Sequence, residues 1–153
     1  MGPMEVVIDD ERWREAAGLE ARAGEAVSAA IARIPAARPG LVVVLLTGDE
    51  TVHALNKRFR GQDRPTNVLS FPAPVSEGYP GDVALAYETC AREAEAAQKS
   101  LADHAVHLVL HGVLHLNGYD HQEEGEAAEM EALESVILTG LGMQDPYLAG
   151  TEP

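Results

Sequence analysis

Five of the six histidines fall between His104 and His121, and their spacing constrains the fold around them more than any other feature. His111 and His115 lie four apart in an apolar run. On a helix this puts both on one face, about 6 Å apart along the axis. Two imidazoles so placed can converge on one ion with N–Zn bonds of about 2.0–2.1 Å. His107 shares the stripe but stands roughly 12 Å from His115 along the axis, so all three cannot share an ion on an unbroken helix. The third ligand has to come from beyond the helix end. Gly118 permits a sharp turn, and His121 arrives just after it. Three histidines with no nearby cysteine leave a fourth position open, as catalytic rather than structural zinc sites do. One Zn²⁺ per chain at the end of a helix is the expectation, although three imidazoles also accept nickel or copper. His104 and His107 are read as structural, or as partners supporting the ligands.

The rest of the chain supplies a mixed α/β (α+β) domain around that helix. Met4 to Ile8 reads as a strand, and Asp9-Asp10 as N-cap candidates for a helix whose stripe runs Leu19, Ala23, Ala26/Val27, Ala30/Ile31, Ile34. Leu41 to Leu46 is apolar on both faces and suits a buried central strand. Thr47 or Asp49 would cap a helix carrying Val52, Leu55 and Phe59, with Gly61 closing it. Pro65 to Pro72 reads as a strand near an edge, hemmed by prolines, and Asp82 to Ala86 as a further strand. Glu88 to Lys99 is helical. Ser100 with Asp103 opens the histidine helix, which runs to about Leu116. Ala127, Met130, Leu133, Ile137 and Leu141 mark a last amphipathic helix. The sum is a small mixed four-stranded sheet with about five helices, in one domain spanning 1–153. Met1 to Pro3 could be residues added ahead of Met4.

Charge narrows the partners. The net charge of −14 disfavours nonspecific binding to nucleic acid or anionic membrane. From Glu123 onward there are eight acidic residues and no Lys or Arg, whereas Lys57, Arg58, Arg60 and Arg64 crowd one segment against Asp63. The longest uncharged apolar run, Leu41 to Leu46, is far too short for a membrane span, and the N-terminus lacks a signal-peptide pattern. Cys90 is the only cysteine, which excludes an internal disulfide, and it reads as buried. A cytoplasmic protein with no membrane partner is expected. The oligomeric state is left open.

The pattern H-x3-H-x5-H with an intervening glycine has the ligand spacing of metzincin proteases, H-E-x-x-H-x-x-G-x-x-H. Here Gly112 replaces the glutamate that takes a proton from the zinc water in those enzymes. Either water polarised by zinc alone is the nucleophile, or another residue assists. Asp120, beside the third ligand, is the nearest candidate; its other reading is to orient a ligand or cap the next helix.

The string His111-Gly-Val-Leu-His115-Leu-Asn-Gly-Tyr-Asp-His121 closely resembles the signature of the bacterial YbeY family, H-G-x-L-H-L-x-G-Y-D-H. Arg60-Gly-Gln-Asp-Arg-Pro-Thr-Asn-Val-Leu-Ser-Phe-Pro72 is similar to that family's R-G-x-D-x-P-T-[DN]-V-L-S-F-P block. Gly81-Asp82-Val83 and Asp145-Pro146-Tyr147 match two further family positions. The resemblance covers roughly Leu41 to Tyr147. It implies a metal-dependent endoribonuclease acting on single-stranded RNA, in 3′-end maturation of small-subunit ribosomal RNA and in ribosome quality control, with the ribosome or ribosomal proteins as partners. It also implies metal ligation by His111, His115 and His121 and a functional role for Arg60.

Chemistry gives the arginine a task. Phosphodiester cleavage places negative charge on nonbridging oxygens, which a guanidinium can bind bidentately. Lys57, Arg58 and Arg64 could follow neighbouring phosphates, or be solvated loop charges. Thr66, Asn67 and Ser70 are read as strand and turn residues. No aromatic stacking platform for bases is expected, with Phe71 and Tyr119 isolated and packing inward. Two other readings stay open: a metallopeptidase using the same three ligands, and a non-catalytic ribosome assembly factor with a structural metal.

Overall fold

The computed structural model describes residues 3–119 and 124–147. Strand β2 (Val42–Thr47), rich in valine and leucine, lies inside a four-stranded sheet, parallel to β1 (Met4–Ile8) on one side and to β4 (Gly81–Ala86) on the other. Strand β3 (Val68–Pro72) pairs antiparallel with β4 and forms the opposite edge, giving the order β1-β2-β4-β3. The sheet is mixed, as expected, and the proline-flanked strand is at its edge.

Alternate residues of each strand face opposite ways, and the two faces carry cores of different size. Val42, Val44, Leu46, Val83 and Leu85 face the larger core, with α1 (Leu19–Arg33), α3 (Tyr87–Ala96), α4 (Leu101–Leu116) and α5 (Glu124–Gly140). Leu69, Ala84 and Ala86, with Leu45, face Val52 and Leu55 of α2 (Asp49–Arg60) in a smaller one. Helix α4 is the most deeply embedded of the described helices. Leu110 and Leu114 are fully buried in it, each contributing roughly 1.5–3 kcal/mol relative to exposure. Its start follows the expected cap, with Asp103 N–H donating to Ser100 Oγ at 3.0 Å. The Asp103 carboxylate pairs instead with Arg22 on α1.

Three local expectations are corrected. The helix expected after Asp9-Asp10 divides in two. Asp10 caps only a short 3-10 turn, Glu11–Glu15, and Gly18 at φ 78° separates it from α1. Trp13 anchors the short turn, being 2% exposed and donating from Nε1 to the Thr47 carbonyl at 2.8 Å. Neither Thr47 nor Asp49 caps α2, since Gly48 occupies the cap position and the Thr47 hydroxyl donates to Asp9. Asp49 accepts instead from the backbone of Thr89 at the start of α3, while Glu88 accepts from the backbone of Asp49. The two helix starts thus satisfy each other's orphan N–H groups. Finally, Phe59 does not pack inward with Val52: it is 57% exposed.

At the other end of α4, Gly118 adopts φ 97°. Its N–H donates to the His115 carbonyl at 3.0 Å and that of Tyr119 to the Leu114 carbonyl at 3.0 Å, so the freed carbonyls of the last turn are satisfied. No helix among the described residues is long and apolar enough to cross a membrane.

Candidate active site

Helix α4 delivers two of its four histidines, His111 and His115, to one cleft. His115 Nε2 lies 3.1 Å from His111 Nε2, close to the ligand–ligand edge, about 3.3 Å, of a tetrahedron with zinc–nitrogen bonds. The helical spacing of four and the end of the helix just beyond His115 produce that convergence. Among the described residues no third His, Cys, Asp or Glu completes a metal-binding set. The expected third ligand, His121, and its neighbour Asp120 lie outside the described residues.

Behind the pair stands a residue not singled out in the sequence. Glu134 of α5 is completely buried. Its Oε2 lies 2.6 Å from His111 Nδ1, its Oε1 lies 3.0 Å from His107 Nε2, and the Tyr147 hydroxyl donates to Oε1. Burial alone would raise its pKa, but hydrogen bonds from His107, His111 and Tyr147 outweigh it and hold the carboxyl at about 2. An ionised carboxylate only accepts, so Nδ1 of His111 carries a proton, and in the neutral ring Nε2, on the side of His115, is the nitrogen with the lone pair. That is the tautomer a metal ligand needs, oriented by the kind of carboxylate partner common behind ligating imidazoles. The residues present therefore fit a bound metal.

The remaining histidines have separate settings. His107 is one turn back from His111, held by Glu134 and edge-on to Tyr147 with ring centroids 5.7 Å apart. His104 pairs with Glu93 at 2.8 Å, and the same carboxylate oxygen accepts from Asn67 Nδ2 at 2.9 Å. His53 pairs with Asp63 at 2.6 Å on the exposed side of α2.

The cleft itself has a volume of about 550 Å³ and runs between α4 and the edge strand β3, with Arg60, Asn67, Ser70, His111, His115 and Tyr119 among its lining residues. Arg60 comes from the last turn of α2, donates to the Ser70 carbonyl, and carries its guanidinium 5.4 Å from the centre of the Phe71 ring. Lys57, Arg58 and Arg64 are exposed and lie outside the cleft lining. Arg58 covers Phe59 at 5.1 Å, and the Arg64 carbonyl accepts from Asn56. Asn67 and Ser70 line the cleft, beyond the strand-and-turn role expected for them. Phe71 is not isolated, since its ring meets that of Phe59 edge-on at 5.6 Å.

Gly112 explains the absent protease glutamate. A Cβ there would stand 2.9 Å from both γ-carbons of Val83 in the central sheet, so α4 can approach β4 this closely only with glycine. A glutamate at this position would need the helix to move. Cys90 is fully buried, and desolvation pushes its thiol up to about 12, so it supplies no nucleophile at neutral pH.

The chain matches a family model described as endoribonuclease YbeY over residues 7–142. It is 46% identical to a protein named endoribonuclease YbeY from Maricaulis maris, covering 96% of this chain and 92% of the relative. It is 51% identical to one of the same name from Paramagnetospirillum magneticum, covering 88% and 89% of the two chains. A Thermotoga maritima protein solved in solution shares the fold with TM-score 0.54 at 24% identity, covering 93% of this chain and 98% of its own.

Proposed function

The chain belongs to the endoribonuclease YbeY family, and on that premise we propose that it is a zinc-dependent endoribonuclease that cleaves single-stranded RNA. The observation that carries this is one cleft lined both by the His111–His115 pair, with its nitrogens 3.1 Å apart, and by Arg60. His121 completes the ligand set in this reading. A metal held there would supply Lewis-acid polarisation and a water of lowered pKa. The protein's own residues do the rest. Glu134 fixes the His111 ring and its tautomer, Arg60 binds a nonbridging phosphate oxygen and steadies the charge that develops there, and Asn67 and Ser70 offer hydrogen bonds to the strand. The open cleft beside an edge strand suits a single strand whose bases are splayed out. Maturation of the 3′ end of small-subunit ribosomal RNA and ribosome quality control, in contact with ribosomal proteins, are the cellular tasks that go with this reading.

The metallopeptidase alternative meets the steric bar at Gly112, where the general base would have to stand. The test is to incubate the zinc-loaded protein with a single-stranded RNA, the same RNA in a duplex, and an unstructured peptide, each with and without chelator. Cleavage of the single strand alone, abolished by chelator, is expected. Cleavage of the peptide would promote the alternative, and stable folding with metal retained but no cleavage would favour an assembly factor.

A further inference from the structure

Among the described residues, Phe59 is the one aromatic in the set of large apolar side chains left exposed; the others, Val7, Leu41, Val75 and Val136, are aliphatic. A single exposed apolar residue is ordinary. This one has unusual company. It occupies the last turn of α2, one residue before Arg60, and its ring meets that of Phe71 on β3 at 5.6 Å and 65°. Each ring carries a cation: Arg58 lies 5.1 Å from the centre of Phe59, and Arg60 lies 5.4 Å from the centre of Phe71. Arg60 also lines the cleft and bonds the Ser70 carbonyl there, so the aromatic pair is continuous with the cleft wall.

Resting on the ribonuclease reading above, we propose that Phe59 and Phe71, with Arg58 and Arg60, form a stacking platform for a base of the single-stranded RNA flanking the nucleotide in the cleft. Charge and shape choose this occupant. Arg58, Phe59 and Arg60 belong to the only concentrated basic stretch of a chain of net charge −14, so a polyanion is drawn here in preference to the acidic remainder of the chain. A base has a π-face for Phe59, and its flanking phosphates suit the two guanidiniums, which themselves stack on bases. Such stacking tolerates any base, so the platform confers preference for unpaired strands and not for a sequence. A paired base is already stacked on both faces and cannot reach the ring.

The test measures binding by fluorescence anisotropy, using a labelled twelve-nucleotide oligoadenylate with 2′-O-methyl riboses and a matched oligomer with abasic sites. The variants are Phe59→Ala, Phe59→Leu and Phe59→Tyr, each checked for an unchanged thermal midpoint. The parent should bind the intact oligomer more tightly than the abasic one. Phe59→Ala and Phe59→Leu should lose roughly fivefold or more on the intact oligomer and little on the abasic one, and Phe59→Tyr should match the parent. Parent-like binding by Phe59→Ala, or by Phe59→Leu, overturns the platform while leaving the ribonuclease reading intact. If the parent binds neither oligomer and cuts no RNA, the ribonuclease reading itself falls, and the platform with it.

Discussion

Glu134 is a fully buried charge whose cost is offset by hydrogen bonds from two imidazoles and a phenol. Replacing it with glutamine keeps the volume but makes one side of the group a donor, which competes with the Nδ1–H of His111 and favours the wrong tautomer. Glu134→Gln should weaken zinc affinity by about 10- to 100-fold, measured by competition against a chromogenic chelator. An unchanged affinity in a folded variant would refute the role given to this carboxylate. The His111–His115 pair is legible in the sequence because helix spacing and motif both point to it, and Arg60 because the motif does. Glu134 is hidden among the acidic residues that crowd the chain from Glu123 onward. One signal does exist. It lies on the apolar stripe between Met130 and Ile137, where a solvated glutamate does not belong.

Among the elements, α4 depends on two glycines for different reasons. Gly118 supplies the positive φ that ends the helix after His115, and Gly112 lets the helix touch the sheet at Val83. Gly112→Ala adds a methyl group where no room exists and should destabilise the fold by about 1–3 kcal/mol. Urea denaturation followed by circular dichroism measures this, and a variant as stable as the parent would contradict the close approach. Strand and helix identities are readable from pattern, since β2 is apolar on both faces, α1 and α5 carry apolar stripes, and α4 is an apolar run behind a capping serine. The division of the first helix at Gly18 is not readable from the apolar stripe, because the short turn before it is held by Trp13 reaching the Thr47 carbonyl 34 residues away in sequence. The mutual capping of α2 and α3 through Asp49 and Glu88 escapes for the same reason: both are contacts between distant segments.

For the molecule as a whole, acid should weaken the fold through His104 as well as through its carboxylates. Burial lowers the pKa of His104 below its ordinary 6.5, against the opposing hydrogen bond to Glu93. The unfolded chain therefore takes up the proton first as pH falls. Stability contributed by the neutral buried ring is present above about pH 6.5 and is lost between that value and the lowered one in the folded state. His104→Gln should flatten this part of the stability profile, measured by urea midpoints from about pH 7.5 to 5; an identical slope in the variant would show that His104 does not contribute.

The most direct measurement is RNA cleavage rate as zinc is titrated into chelator-stripped protein. The rate should start near zero, rise and saturate at one zinc per chain, and stay near zero throughout for His115→Ala. Cleavage by the stripped protein, or full zinc-dependent activity in His115→Ala, would contradict a metal centre built on the paired histidines of α4.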